Sequence, residues 1–348
     1  MNGRNGPWLE RVVRRCCVFV DRSAGRSGYP SAVDGGRHPE LGPVVAVVAP
    51  SPLLTVTIEQ GTRGDEVHLH AGGQGVWVAR MVAALGGRPR LIGVFGGEIG
   101  SVVEHLLRDE GIDVRPVPVQ GSNGAYVHDR RSGEREELAQ VEPAVLTRHD
   151  VDEWYTRALV ECLDADIATV TGVVVEDVLP VDVFRRLCTD LARNGRRVVA
   201  DLSGAALHAA LEGGVRALKV SHEELIDSGL AKSDDLDDLI DGIGRLAETG
   251  LEMAVVSRGP EPTLAWMHGT LYEIRVPPLE LVDGRGGGDA MAASMAVGLC
   301  EGRPVPELLR LLGAAGALNV TRRGLATSGG NEVERFSAHV EVRRFPDG

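Results

Sequence analysis

The chain has 348 residues, of which 43% are hydrophobic, so it can form one large domain or two smaller ones with a sizeable core. Its formal net charge of −13 argues against nucleic acid as the main partner, because a protein that binds a phosphate backbone needs a basic face. No apolar run reaches the roughly 18 residues that a membrane helix needs, so we expect no membrane partner. The cysteines are scattered and contain no C-x-x-C pair, which indicates a cytoplasmic protein without structural zinc.

Residues 1–42 differ from the rest of the chain. Arginines interrupt a stretch that contains Gly, Ser and Pro and has little hydrophobic periodicity. We predict a disordered N-terminal extension, with a short membrane-surface or partner-binding arm as the alternative. A folded domain is predicted over residues 43–330 and a C-terminal tail over residues 331–348.

A buried parallel sheet is predicted for the folded domain. Residues 44–49 form a continuous Val/Ala run without polar alternation, which is typical of a strand covered on both faces. From about residue 150 the chain alternates short apolar runs with helical patterns, which favours parallel strands joined by right-handed crossovers. Ligands of such a sheet bind at the carboxyl ends of its strands.

A second, smaller sheet is predicted from strands near residues 53–70 and 123–141. In the later segment, residues 125–128 and the residues after 133 flank a polar turn, which is the pattern of a hairpin. We expect His128 to be a solvated strand residue rather than a ligand. A small sheet beside the main one can cover a ligand and exclude water from it.

The most informative stretch is the glycine-rich turn at residues 282–289. Consecutive glycines allow several backbone N–H groups to point at one anion, and the N-terminus of the following helix adds its positive dipole end. Asp289 stands beside this turn, where it could take a proton from a hydroxyl that attacks a phosphoryl group. The alternative is a plain turn with Asp289 as an ordinary helix N-cap.

The glycine-rich turn resembles a known family motif. The pattern Asp283-x-x-Gly286-Gly287-Gly288-Asp289 is similar to the D-T-T-G-A-G-D signature of the PfkB/ribokinase carbohydrate kinases, especially their 1-phosphofructokinase and tagatose-6-phosphate kinase branch. The resemblance implies an α/β fold of the ribokinase-like type, with a mostly parallel central sheet flanked by helices and a small β-sheet lid. It also implies an anion hole at the three glycines and a catalytic base at Asp289.

Two upstream segments resemble the substrate-binding motifs of this family, but with substitutions. Residues 72–79 are similar to G-G-K-G-x-N-V-A, with Gln74 in place of the lysine and Trp77 in place of the asparagine. Residues 51–55 resemble N-P-A-x-D, with Thr55 in place of the aspartate. The resemblance therefore implies substrate binding by Thr55, Gly72, Gly73, Gln74, Gly75 and Trp77.

Three further segments resemble the nucleotide side of the family. Residues 219–225 are similar to K-P-N-x-x-E-L, which implies that Lys219 binds the nucleotide and that Glu224 positions Mg²⁺ through water. The alternative for Glu224 is a solvated residue in the first turn of a helix. The resemblance places the other nucleotide contacts at Ser257, Arg258, Gly259 and Asn319.

The function implied is an ATP-dependent phosphotransferase acting on an alcohol group of a sugar or sugar phosphate, with ATP and Mg²⁺ as cofactors. We expect a homodimer that pairs through the lid, as is frequent in this family. Two alternatives remain open at this stage. One is a non-catalytic sugar-binding or sensing protein on a kinase fold, and the other is a nucleoside kinase, for which Trp77 would offer a stacking face.

Overall fold

The computed structural model describes residues 42–173, 178–321 and 328–345. The predicted N-terminal extension, residues 1–42, lies outside these ranges except for its last residue.

A large sheet of ten strands forms the centre of the described fold. From β5 at one edge to β11, neighbouring strands pair in parallel, and the last three strands at the other edge pair antiparallel. The Val/Ala run forms β1 in the parallel part, which confirms that prediction. In order across the sheet the strands are β14 (Glu341–Arg344), β13 (Thr270–Arg275), β12 (Glu261–Met267), β11 (Met253–Arg258), β10 (Ala217–Ser221), β9 (Val198–Asp201), β8 (Ile167–Thr171), β1 (Val44–Val48), β4 (Arg88–Gly96) and β5 (Asp113–Val119).

Helices cover both faces of this sheet, and an apolar core lies between the helices and the sheet on each face. Within the described ranges, no helix is both long and apolar enough to cross a membrane. The helices over one face are α1 (Gln74–Ala84), α2 (Gly97–Asp109), α8 (Gly287–Glu301), α9 (Val305–Asn319) and α10 (Gly330–Ser337). Those over the other face are α3 (Arg148–Leu163), α4 (Asp182–Arg193), α5 (Gly204–Glu212), α6 (His222–Asp227) and α7 (Leu236–Glu248).

The predicted small sheet is present as a separate four-stranded sheet in the order β3-β2-β6-β7. Its strands are β2 (Leu53–Gly61), β3 (Gly64–Gly72), β6 (Gly124–Asp129) and β7 (Glu136–Val141). Because side chains alternate along a strand, one face carries polar groups such as Thr55 and its register partners His70 and Tyr126. The opposite face carries Leu54 and Ala71, which are buried. The α/β fold with a mostly parallel sheet and a smaller second sheet is thus confirmed.

Asn123 fixes the small sheet to the large one. Its Nδ2 donates hydrogen bonds to the carbonyls of Pro52 at 2.8 Å and Val94 at 2.9 Å, and its Oδ1 accepts one from the N–H of Gly96 at 2.8 Å. The side chain is only 3% exposed, so these bonds satisfy groups that water cannot reach. The base of the small sheet is therefore held in a defined position above the strand ends.

The segment predicted as a C-terminal tail, residues 331–348, differs from that expectation. Its described part contains most of α10 and the strand β14, which pairs with β13 and extends the large sheet. Val333 and Val340 are buried in the core that α9 also covers. The sequence signal was weak because β14 has only four residues, of which three are charged.

Candidate active site

A cavity of about 450 Å³ lies between the polar face of the small sheet and the start of α8. Eleven of the residues predicted to bind substrate, nucleotide or metal, or to act as the base, line it. They are Thr55, Gly72, Gly73, Gln74, Trp77, Lys219, Glu224, Gly286, Gly288, Asp289 and Asn319.

The glycine-rich turn can form only without a side chain at Gly286. This residue has φ +75° and stands at the N-cap of α8, and a Cβ there would lie 2.7 Å from Asn319 Nδ2. Asn319 in turn donates a hydrogen bond from that Nδ2 to the carbonyl of Arg285 at 3.1 Å. No side chain caps the start of α8, so the N–H groups of its first turn are left for an anion.

Asp289 is not the helix N-cap, since it is the third residue of α8. It remains partly exposed and lines the cavity. Burial, and then repulsion from Asp201, raises the pKa of Asp289 well above its ordinary value, while Lys219 acts in the opposite direction. A carboxylate that holds a proton this firmly is better matched to deprotonating an alcohol than an exposed one.

Lys219 lies among three carboxylates at the end of β10. Its Nζ is 3.4 Å from Oδ1 of Asp201, and both side chains are at most 8% exposed. Burial alone would lower the pKa of Lys219, but attraction by Asp201, Glu224 and Asp289 outweighs it and raises the pKa. The ammonium group therefore stays charged beside the cavity.

Gly288 leaves the space that Lys219 occupies. A Cβ at position 288 would lie 2.1 Å from Lys219 Nζ and 2.7 Å from its Cε, well inside van der Waals contact. Gly287 points elsewhere, since its Cβ would meet Val320 Cγ1 at 3.1 Å, and it does not line the cavity. The three glycines thus have different packing partners although they are adjacent in sequence.

Glu224 is the third residue of the short helix α6 and forms a capping box with the N-cap residue Ser221. Its Oε2 accepts a hydrogen bond from the N–H of Ser221 at 2.7 Å, and Ser221 Oγ accepts one from the N–H of Glu224 at 3.2 Å. The side chain lies in the first turn of the helix, is partly buried and lines the cavity. Whether it positions a metal stays a prediction.

Gln74 connects two strand ends beneath the cavity. Its Nε2 donates to the carbonyl of Asp201 at 3.2 Å, and its Oε1 accepts from the N–H of Gly172 at 2.9 Å. Gly75, its neighbour, packs so closely that a Cβ would lie 2.3 Å from the Cβ of Ala49, and it lines a smaller cavity of about 180 Å³ instead. The side-chain amide of Gln74, which stands in place of the lysine of the family motif, therefore binds backbone groups at both of its ends.

Trp77 projects from α1 into the cavity. The guanidinium of Arg80 lies over its ring, 5.5 Å from the centroid, and is held by two hydrogen bonds of 2.6 Å to Glu110. Thr55, on the neighbouring strand β2, is 8% exposed and also faces the cavity. The acceptor side therefore has an oriented aromatic ring and a hydroxyl where the family motifs carry an asparagine and an aspartate.

Ten other cavity residues were not among the predicted site residues. Most lie on the polar face of the small sheet, at positions that alternate with buried apolar residues, and this period of two is the signal that could have found them. They are Leu53, Thr57, Glu59, His70, Tyr126, His128, Arg130, Arg135, Asp283 and Arg285.

His128 corrects an expectation. It is 3% exposed rather than solvated, its ring stacks on Tyr126 with 5.9 Å between centroids, and its Nε2 contacts Arg135. Burial lowers the pKa of His128, which favours the neutral ring. The strand pattern alone did not indicate that this face turns towards a cavity.

Asp201, which was not included among the predicted site residues, ends the buried strand β9 at the edge of the sheet where ligands bind. It is 1% exposed, and its Oδ2 has no hydrogen-bond partner. In the described parts of the chain, no group of three or more His, Cys, Asp or Glu side chains could by itself hold a metal ion.

Ser257, Arg258 and Gly259, which were predicted to contact the nucleotide, lie at the end of β11 and do not line the 450 Å³ cavity. Ser257 pairs in register with Ser221 of β10, so this segment lies one strand further from the small sheet than β10, the strand that carries Lys219. Its contact with a nucleotide stays a prediction.

The chain is similar in sequence and in fold to several known kinases. The chain is 27% identical over 324 residues to an ATP-dependent 6-phosphofructokinase isozyme 2 of Mycobacterium tuberculosis, a match that covers 88% of this chain and 91% of that protein. The fold is similar to phosphofructokinase-2 from Escherichia coli in complex with potassium, with a TM-score of 0.74 and 24% identity over 86% of this chain and 98% of that one. It is also similar to a possible 1-phosphofructokinase from Thermotoga maritima, with a TM-score of 0.77 and 18% identity over 87% of this chain and 100% of that one.

The family itself follows from a profile match. Residues 48–331 match the pfkB family of carbohydrate kinases, which is most of the chain and includes the small sheet, the cavity and the glycine-rich turn. These matches do not favour the alternatives of a sugar sensor or a nucleoside kinase. The chain therefore belongs to the pfkB family of carbohydrate kinases, and it is a kinase that transfers a phosphoryl group from ATP to a hydroxyl of a carbohydrate.

Proposed function

We propose that Asp289 is the general base of this kinase and that the glycine-rich turn beside it holds the phosphoryl group in transfer. One observation carries the proposal: Asp289, Gly286, Gly288 and Lys219 line the same cavity as the polar face of the small sheet. An acceptor on that face would have its hydroxyl next to the carboxylate. The attacking oxygen would then lose its proton to Asp289 as it bonds to the γ-phosphorus and ADP leaves.

Charge stabilisation would come from the turn and from Lys219. Uncapped N–H groups at the start of α8 suit the equatorial oxygens of the phosphoryl group, and the ammonium of Lys219 adds a fixed positive charge nearby. The tight packing of Gly286 and Gly288 keeps these donors in place before the substrate arrives. The residues therefore supply positioning and electrostatics, which are the main contributions in phosphoryl transfer.

Mg²⁺ is proposed as the accompanying cation, and the donor set fits a hydrated ion. Mg²⁺ keeps several waters and needs only one or two protein carboxylates when it binds with phosphates. Glu224 lines the cavity, and Asp201 has a buried carboxylate oxygen that has no hydrogen-bond partner. When bound, the ion would neutralise charge on the nucleotide phosphates.

The acceptor is proposed to be a sugar or a sugar phosphate, as for a 1-phosphofructokinase-like enzyme. The relative from M. tuberculosis and both structural neighbours are named as phosphofructokinases, which supports a phosphorylated hexose. A polar cavity wall with arginines supports the same class, since three arginines line the cavity. The enzyme would act in the cytoplasm, where free thiols such as the buried Cys162 and Cys188 stay reduced.

ATP consumption against a panel of acceptors tests this function. Hexoses, hexose phosphates and nucleosides are offered separately with MgATP, and thermal-shift binding is measured in parallel. We expect turnover with at least one hexose or hexose phosphate and none with nucleosides. Binding without turnover across the whole panel would instead indicate a sensor, and turnover with nucleosides alone would overturn the acceptor class.

We also propose a homodimer formed through the outer face of the small sheet. Val67 pairs in register with Ile58, and Val141 with Ala125, so both lie on the face opposite the cavity. Val67 is 51% exposed and Val141 46%, which leaves apolar surface for a second copy to cover. Light scattering should give a dimer that Val67→Glu converts to monomer, and a wild-type monomer would contradict the proposal.

A further inference from the structure

Two arginines from opposite walls of the cavity meet at one aspartate. Arg130 follows strand β6 of the small sheet, and its Nη2 lies 3.8 Å from Asp283 Oδ2. Arg285 directly precedes the N-cap glycine of α8, and its Nε lies 3.2 Å from Asp283 Oδ1. All three side chains line the cavity, so this cluster spans the gap between the small sheet and the glycine-rich turn.

The cluster carries more positive charge than it can neutralise internally. One carboxylate faces two guanidinium groups, and Arg135 of the same hairpin also lines the cavity. Partial burial, and then repulsion from Arg130, lowers the pKa of Arg285. Asp283 and Arg130 are only 22% and 24% exposed, so water screens this pair incompletely, whereas Arg285 is 64% exposed. Asp283 balances one of the two positive charges, so a bound anion would offset the other.

We propose that Arg130 and Arg285 form a phosphate clamp that closes the small sheet over the glycine-rich turn. Asp283 orients both guanidinium groups when no phosphate is bound. This inference rests on the proposed function, because it assumes that a phosphate-bearing substrate occupies the cavity. The phosphate could belong to ATP or to the acceptor, and the chemistry of recognition is the same for both.

The geometry suits phosphate for two reasons. A guanidinium presents parallel N–H donors that match two oxygens of a phosphate, and a dianion can accept from two such groups at once. Arg130 belongs to the small sheet and Arg285 to the turn that starts α8, so a shared phosphate would draw the two walls together. Binding would thereby exclude water from Asp289 at the moment when the acceptor is in place.

Substitution of each arginine tests the clamp, and the chain offers a matched control. Arg131 is the neighbour of Arg130, but it does not line the cavity, and it is bound to Asp129 at 2.6 Å and to Asp65 at 2.9 Å. Arg130→Ala, Arg285→Ala and the control Arg131→Ala are compared in steady-state kinetics with MgATP and with fructose 6-phosphate or fructose as acceptor. The charge-retaining variants Arg130→Lys and Arg285→Lys keep a cation but lose the parallel N–H donors of the guanidinium group. Thermal unfolding checks that each variant is folded.

We expect both alanine variants to raise one KM by roughly 10-fold or more, on the scale of a lost charge-assisted hydrogen bond, with Arg131→Ala close to wild type. A rise for fructose 6-phosphate but not for fructose assigns the clamp to the acceptor phosphate. A rise for ATP with both acceptors assigns it to the nucleotide. The lysine variants should be intermediate, because they restore charge but not bidentate geometry.

Calorimetry with pyrophosphate separates the clamp from the proposed function. The clamp is supported if wild type binds pyrophosphate and both alanine variants bind it at least about 10-fold more weakly. If this result is obtained but no acceptor is phosphorylated, only the proposed function fails. The clamp would be overturned if Arg130→Ala and Arg285→Ala matched Arg131→Ala in pyrophosphate affinity and in both Michaelis constants. This holds whatever the activity of the enzyme.

Discussion

The two walls of the cavity are built in different ways. The wall formed by β10 and the start of α8 consists of backbone and closely packed side chains, so that a single added methyl group at Gly288 would lie 2.1 Å from Lys219 Nζ. The wall formed by the small sheet consists of side chains that alternate along strands, of which some are buried, such as Thr55 and His128, and others partly exposed, such as Glu59 and Tyr126. In the proposed mechanism, the first wall would hold the phosphoryl group and the second would face the acceptor.

This difference bears on how each wall can tolerate departures from the family motifs. Gly286 has a left-handed φ, and a side chain at Gly288 would overlap Lys219, so both positions favour glycine. On the acceptor side, Thr55 of the small sheet and Trp77 of α1 replace motif residues and line the cavity. We therefore expect substitutions on the first wall to affect the chemical step and those on the second to affect acceptor affinity.

Gly288→Ala should have the largest effect of the variants that test this contrast. The new Cβ would displace the ammonium of Lys219, which is buried and paired with Asp201 and cannot move without losing that pair. We expect kcat to fall by roughly 10²-fold, on the scale of losing a preorganised charge. Gly284→Ala in the same turn is the control, because nothing lies within 4 Å of a Cβ there, and it should keep near-normal activity. Equal activity of the two variants would contradict the packing argument.

Lys219→Met removes the same charge, so it should lower kcat by up to roughly 10²-fold, and it should also shift the pH dependence. The base must be deprotonated, so activity is lost as the pH falls through the pKa of Asp289. Lys219 lowers that pKa, and its removal leaves Asp201 and Glu224 to raise it further. The acid limb of kcat/KM should therefore move to higher pH. The only other lysine, Lys232, is exposed, so Lys232→Met should leave the acid limb of kcat/KM unchanged. An acid limb that stays in place or moves to lower pH in Lys219→Met would contradict the electrostatic argument.

Trp77→Ala should have the smallest effect and should act on the acceptor side of the cavity, which Trp77 lines from helix α1. The ring contributes contact area to the cavity while Arg80 holds its orientation. We expect the acceptor KM to rise by roughly 3- to 10-fold with kcat within a factor of about 3, as for a lost aromatic contact. Trp77→Phe should recover most of the affinity. A loss confined to kcat would place Trp77 with the chemical step instead.

The parts of the molecule that the sequence predicted are those in which backbone requirements dictate residue type. Glycines at positions 286 and 288 are required by a left-handed φ or by the space that Lys219 occupies, so the turn could be recognised before its partners were known. The buried strand β1 was equally clear, because a strand covered on both faces must be apolar throughout.

The remaining parts depend on contacts between residues that are distant in the chain. Arg130 and Arg285 become neighbours only because the small sheet folds over α8, and neither has a local pattern that marks it. His128 alternates like a solvated residue, but the face it occupies turns towards a cavity. Strand β14 is short and mostly charged, and only its pairing with β13 makes it part of the sheet.

Turnover and binding by Asp289→Asn test the central claim most directly. This change removes the base, keeps the size of the side chain and lessens the negative charge beside Lys219, so the cavity should still bind MgATP and the acceptor. We predict a fall in kcat of at least roughly 10²-fold in a single-turnover assay, with the Kd of MgATP measured by calorimetry within about 3-fold of wild type. An unchanged single-turnover rate would contradict the role of Asp289 as the base of the transfer.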